Sequence, residues 1–271
     1  MMKAGTRLFD KPHRTMSHLI AANHKLEYEW HGPAPDKAPT IIFLHEGLGC
    51  VAMWKDFPAR VAEATGFGAL VYSRAGYGNS DPIELPRPVS FMHDDALVVL
   101  PEIIDALAIE QPVLFGHSDG ASIALIYAGS INAGRVQALI LEAPHVFVED
   151  LGIQSITDAK QNFESGTLRS ALERYHGHNV DCAFRGWNDV WLDPDFRSWN
   201  IESFLSGIKV PTLVIQGEND QYGTKRQFEA IQNGNSGAVE TLLLADCGHS
   251  PHRDHPDEVL YAVTEFLNRL R

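Results

Sequence analysis

Pro112-Val-Leu-Phe-Gly-His-Ser-Asp-Gly-Ala-Ser-Ile-Ala-Leu-Ile-Tyr-Ala128 decides how this chain is read. The run Pro112 to Phe115 is a short buried strand, and Ala121 to Ala128 is apolar and helical. Between them lies Gly116-His117-Ser118-Asp119-Gly120, a G-x-S-x-G turn. Glycines two residues either side of the serine leave no side chains to clash where strand and helix meet. The strained turn lifts Ser118 Oγ clear of the strand and aims the N-terminus of the next helix at a reacting oxygen. An ordinary glycine-flanked turn is the competing reading, and the strand before and helix after weigh against it.

A serine hydroxyl needs a base, and the base needs an orienting carboxylate. Downstream, the strand-like run Thr212 to Gln216 ends in Gly217-Glu218-Asn219-Asp220, and Thr241 to Leu244 ends in Ala245-Asp246-Cys247-Gly248-His249. Ser118, Asp220 and His249 thus follow one another in the order Ser, Asp, His, each on a loop after a strand. Glu218 and Glu142 are the rival acids. Upstream, Leu44-His45-Glu46-Gly47-Leu48-Gly49 follows another apolar run, and its glycines let backbone N–H groups face an oxyanion. One donor is Gly47 or Leu48, which the residues do not separate; the other is the N–H of Asp119.

Working further outward, apolar runs at Thr40 to His45, Ala69 to Ser73, Val113 to Gly116, Val136 to Leu141, Thr212 to Gln216 and Thr241 to Leu244 read as strands buried on both faces. Helical stretches lie between and after them, at Trp54 to Ala64, Phe91 to Leu107, Ala121 to Ala128, Arg226 to Ile231 and Pro256 to Leu270. Such alternation builds a mostly parallel, doubly wound α/β sheet of about eight strands. An antiparallel hairpin turning near Asn23-His24 opens it. The rhythm breaks from 146 to 206, which has helical patches and Trp187, Trp191 and Trp199 but no strong strand. That segment reads as a helical insertion after the sixth strand, splitting a core of 1–145 and 207–271.

Together these features resemble the α/β-hydrolase superfamily over nearly the whole chain. The resemblance implies Ser118 as nucleophile, Asp220 as acid and His249 as base, with 146–206 as a helical cap. Asp220 is also favoured because its distance past the strand matches the usual acid position. Ser73-Arg-Ala-Gly-Tyr-Gly-Asn-Ser80 is similar to a glycine-rich segment of capped members, which often have Asp where Arg74 stands. Glu46 is either a polar recognition group or the buried ion-pair partner of Arg74. Trp54, Phe147, Trp187 and Trp191 are candidates for an acyl pocket, and core packing explains any one of them equally well.

Composition excludes other classes. With 22 Lys+Arg against 35 Asp+Glu the formal charge is −13, which disfavours nucleic acid and anionic membrane surfaces. The apolar runs are too short to span a bilayer, and the N-terminal 18 residues lack a secretory core. Cys50, Cys182 and Cys247 leave at least one thiol unpaired. A cytoplasmic protein follows, with a homodimer left open. His249, His252 and His255 with Asp254 and Asp257 lack a metal-binding spacing, so no metal and no cofactor is expected. His252 and His255 read as surface or helix-entry residues. The expectation is a serine hydrolase of a small, largely uncharged ester, thioester or lactone. The alternatives are a carbon–carbon bond hydrolase of ring-fission or β-diketone type and a hydrolase-fold receptor with little turnover.

Overall fold

Along the third strand, Ile41 and Phe43 enter one hydrophobic core while Ile42 and Leu44 enter another. This two-residue alternation inside an unbroken apolar run means that both faces of the sheet are covered. The computed structural model describes residues 17–130 and 134–270. The first sixteen residues of the N-terminal reading lie outside that range.

Eight strands form one sheet: β1 (Ser17–Ala21), β2 (His24–His31), β3 (Thr40–Leu44), β4 (Gly68–Tyr72), β5 (Pro112–His117), β6 (Ala138–Glu142), β7 (Thr212–Gly217) and β8 (Val239–Leu244). Their spatial order is β1-β2-β4-β3-β5-β6-β7-β8. The first two are antiparallel and β3 to β8 run parallel. The opening hairpin turns one residue earlier than expected. Ala21 pairs with His24, and Ala22 and Asn23 both take positive φ, as a two-residue hairpin turn requires. The expectation of strands buried on both faces fails at β8, an edge strand whose Leu243 is exposed.

The helices before β6 are α1 (Phe57–Thr65), α2 (Phe91–Asp94), α3 (Leu100–Ala106) and α4 (Asp119–Gly129). A π-helical turn, Asp95–Val99, joins α2 to α3. Between β6 and β7 lie α5 (Asp150–Glu164), α6 (Thr167–His176), α7 (Val180–Trp191) and α8 (Glu202–Leu205). The chain closes with α9 (Lys225–Gly234), α10 (Pro251–Asp254) and α11 (Pro256–Asn268). The segment between β6 and β7 is tied to the loops after β3 and β4 by buried polar groups. His176 Nδ1 accepts from the Gly78 N–H at 3.0 Å, and its Nε2–H donates to the Leu48 carbonyl at 3.0 Å. Asn179 donates to the Ser80 carbonyl at 2.7 Å. No helix among the described residues is long and apolar enough to cross a membrane.

Candidate active site

Ser118 sits between β5 and α4 with φ 53° and ψ −117°, a conformation that costs a residue with a side chain energy. Its N–H is tied to the Glu142 carbonyl of the neighbouring strand at 2.9 Å. Both flanking glycines are sterically obligatory. A Cβ at Gly116 would lie 2.4 Å from the Gly120 carbonyl oxygen, and one at Gly120 would lie 2.0 Å from that of Leu44.

Ser118 Oγ is 2.9 Å from His249 Nε2, and His249 Nδ1 lies 2.8 Å from both Asp220 oxygens. A carboxylate only accepts, so Nδ1 carries the proton and Nε2 is free to accept from the serine hydroxyl. Asp220 also accepts from Gln216 Nε2 at 2.7 Å and from the Tyr222 N–H at 2.8 Å. Burial alone would raise its pKa. The His249 ring and then the Tyr222 N–H outweigh burial and hold the carboxyl at about 2. The His249 backbone is fixed too, because His117 Nε2–H donates to its carbonyl at 2.6 Å.

The loop after β3 borders the same cavity. Gly47, Leu48 and Asp119 all line it, and their N–H groups have no acceptor among the described residues. Gly47 is pressed against the insertion. A Cβ there would stand 2.1 Å from Trp187 Cδ1. The cavity holds about 210 Å³ and is lined by Ser118 and His249 together with Ile156, Leu168, Leu172 and the two indoles Trp187 and Trp191.

The other residues singled out in the sequence divide. Trp187, Trp191 and Glu46 line the cavity. Trp54 does not: it lies in a 3₁₀ turn, Val51–Trp54, packed in the opposite core against Phe43, Phe115 and the His252 ring. Phe147 is also outside the cavity, stacked under Arg226 with its backbone bridged to Asn200. Glu46 forms no carboxylate pair with Arg74. Arg74 Nη2 donates to the Glu46 backbone carbonyl at 3.0 Å, while Nη1 lies 3.9 Å from Asp95. The Glu46 carboxylate instead lies between His117 at 3.5 Å and Arg253 at 3.4 Å. Burial would raise its pKa, but His117 first and then Arg253 hold it well below the usual range.

Glu142 and Glu218 stand apart from His249. Glu142 is fully buried and accepts from His252 Nδ1 at 2.6 Å, and Glu218 is exposed. His252 is therefore a core residue rather than a surface one. With His117 and Glu142 it makes a buried set whose ligand-type atoms lie within 4.8 Å of one another. The His252–Glu142 and His117–His249 bonds engage one atom of each ring and one carboxylate oxygen. Glu142 Oε1 and His252 Nε2 are left without hydrogen-bond partners, and His117 Nδ1 has the Glu46 carboxylate at 3.5 Å.

Three polar residues that the sequence did not single out also line the cavity. The His145 ring packs 5.6 Å from that of His249. Burial and then the His249 charge push it down to about 4, which keeps it neutral. Tyr222 stacks on His249 at 4.7 Å, and Arg253 reaches in from α10. Tyr222 and Arg253 stand two and four residues past the proposed acid and base, a proximity that points to them.

A mostly parallel sheet, a serine at positive φ on a strand–helix turn and a hydrogen-bonded His–Asp pair beside it together make this an α/β protein. The alpha/beta hydrolase family matches residues 41–263, and the chain belongs to it. It is similar to a proline iminopeptidase of Lactobacillus delbrueckii subsp. lactis, 30% identical over 260 residues, 81% of this chain and 86% of the relative. Among solved structures it resembles the esterase EaEST from Exiguobacterium antarcticum. That likeness has a TM-score of 0.75 at 21% identity and covers 94% of this chain and 100% of the other. The enol-lactonase from Burkholderia xenovorans LB400 gives 0.72 at 20% identity, covering 93% and 100%. These structural likenesses are of fold.

Proposed function

We propose that this hydrolase is a serine hydrolase that cleaves a small carboxylic ester, thioester or lactone through an acyl-enzyme on Ser118. The continuous Asp220–His249–Ser118 hydrogen-bond chain at the cavity wall carries the reading. Ser118 Oγ attacks the carbonyl carbon as His249 Nε2 takes its proton, and Asp220 stabilises the imidazolium that forms. The oxyanion sits against the N–H of Asp119 and that of Gly47 or Leu48. His249 returns its proton to the leaving group and then activates the water that releases the acyl group. The helices of 146–206 act as a cap, with Trp187 and Trp191 limiting acyl size. Three unbridged cysteines fit a cytoplasmic setting.

Replacing Ser118 with Ala in a folded protein is expected to lower kcat by roughly 10⁴ to 10⁶. More than about a tenth of wild-type turnover of p-nitrophenyl esters, with unchanged circular dichroism, would remove the serine from this role. The iminopeptidase relatives raise a peptidase reading. Faster cleavage of proline p-nitroanilide than of every ester would favour it.

A further inference from the structure

Arg253 is the one Lys or Arg side chain among the residues lining the cavity. It arrives on α10, four residues beyond His249, and its side chain is 32% exposed. Its Nη2 makes two long contacts, to Glu46 Oε1 at 3.4 Å and to the Met53 carbonyl at 3.3 Å. Its Nε–H and Nη1 hydrogens have no acceptor among the described residues.

The charges around it do not use it up. Glu46 also has the buried His117 ring beside it at 3.5 Å. Burial pulls the His117 imidazole down, but Glu46, then Glu142 and the His249 carbonyl, raise it above an ordinary histidine. Asp220 accepts from the His249 ring, and Asp119 Oδ1 accepts from Trp191 Nε1 at 3.2 Å. His145 stays neutral. The planar donor fork of Arg253 therefore keeps N–H groups available at the wall of a cavity lined largely by apolar side chains. Such a fork matches a carboxylate edge-on.

We propose that Arg253 anchors a carboxylate on the substrate, so that the site takes short acyl chains ending in a carboxylate, such as half-esters of small dicarboxylic acids. This rests on the serine-hydrolase reading for the position of the scissile bond. It replaces the largely uncharged substrate expected from the sequence. One cation in a chain of net charge −13 suits a monoanion rather than a phosphate dianion.

Calorimetric titration of the Ser118→Ala protein separates the two readings. The ligands are the monomethyl esters of succinate, glutarate and adipate, and the same chains ending in a primary amide or an amine. At the best-fitting length the carboxylate should bind roughly 10- to 100-fold more tightly than the amide. Arg253→Met should bring the two within about twofold, and Arg253→Lys should keep part of the preference. Arg253→Gln serves if the Met variant does not fold. Equal binding of carboxylate and amide, a preference for the amine, or a carboxylate preference that survives loss of the guanidinium would each overturn the proposal. Wild-type hydrolysis of neutral esters is scored separately. Hydrolysis without a carboxylate preference sinks Arg253 alone, and a carboxylate preference without any hydrolysis sinks the hydrolase reading alone.

Discussion

Asp220 receives His249 Nδ1–H, Gln216 Nε2–H and the Tyr222 N–H while almost wholly buried. Its amide variant would offer an N–H where the imidazole also donates, favouring the wrong tautomer. Asp220→Asn is thus expected to cost roughly 10⁴ in kcat, as the same change does in serine proteases. Glu218→Gln should be nearly silent. Glu142→Gln should lower the melting temperature through the His252 contact while leaving most turnover. Steady-state kinetics on the three variants checks this, and a crippled Glu142→Gln beside an active Asp220→Asn would relocate the acid. The depressed pKa also sets an acid limit. A carboxyl held at about 2 against an ordinary 3.8 stabilises the fold above about pH 4 and loses that contribution as pH falls through 2. That shift corresponds to about 2 kcal/mol. The stability gap between wild type and Asp220→Asn, read by denaturant titration, should therefore narrow from pH 4 to pH 2. A constant gap would contradict it.

Among the elements, the contact between α7 and the loop after β3 joins the helices that follow β6 to the proposed oxyanion site. Gly47 has no room for a methyl group beneath Trp187, so Gly47→Ala should destabilise by about 1–3 kcal/mol through overpacking. Trp187→Ala opens that space, so the double variant should recover part of the loss. Additive effects in the cycle would show that the indole and the loop are independent. Trp187→Ala and Trp191→Ala alone should shift the preferred acyl length upward, because both indoles line a cavity of about 210 Å³. Unchanged chain-length profiles for both would move the size limit elsewhere.

Across the molecule, what is legible in the sequence is what short-range pattern encodes. Apolar runs bounded by turns give β3 to β7 nearly residue for residue. The half-exposed edge strand β8 is less regular because only part of it is covered. Ser118, Asp220 and His249 can be picked out because each follows a strand, and a parallel sheet gathers such loops at one edge. Which way an isolated aromatic faces is not encoded locally. Trp54 falls in a 3₁₀ turn on the far side of the sheet, while Trp187 and Trp191, on one helix, both reach the cavity. The Glu46–His117–Arg253 and Glu142–His252 arrangements join residues 71 to 207 positions apart, and no spacing rule announces them.

Fluorophosphonate labelling followed by peptide mass spectrometry asks whether Ser118 is the nucleophile. One phosphonyl adduct on the peptide containing Ser118 is expected, sharply slowed in Asp220→Asn. No adduct on the folded protein, or an adduct on another serine with Ser118 unmodified, would contradict it.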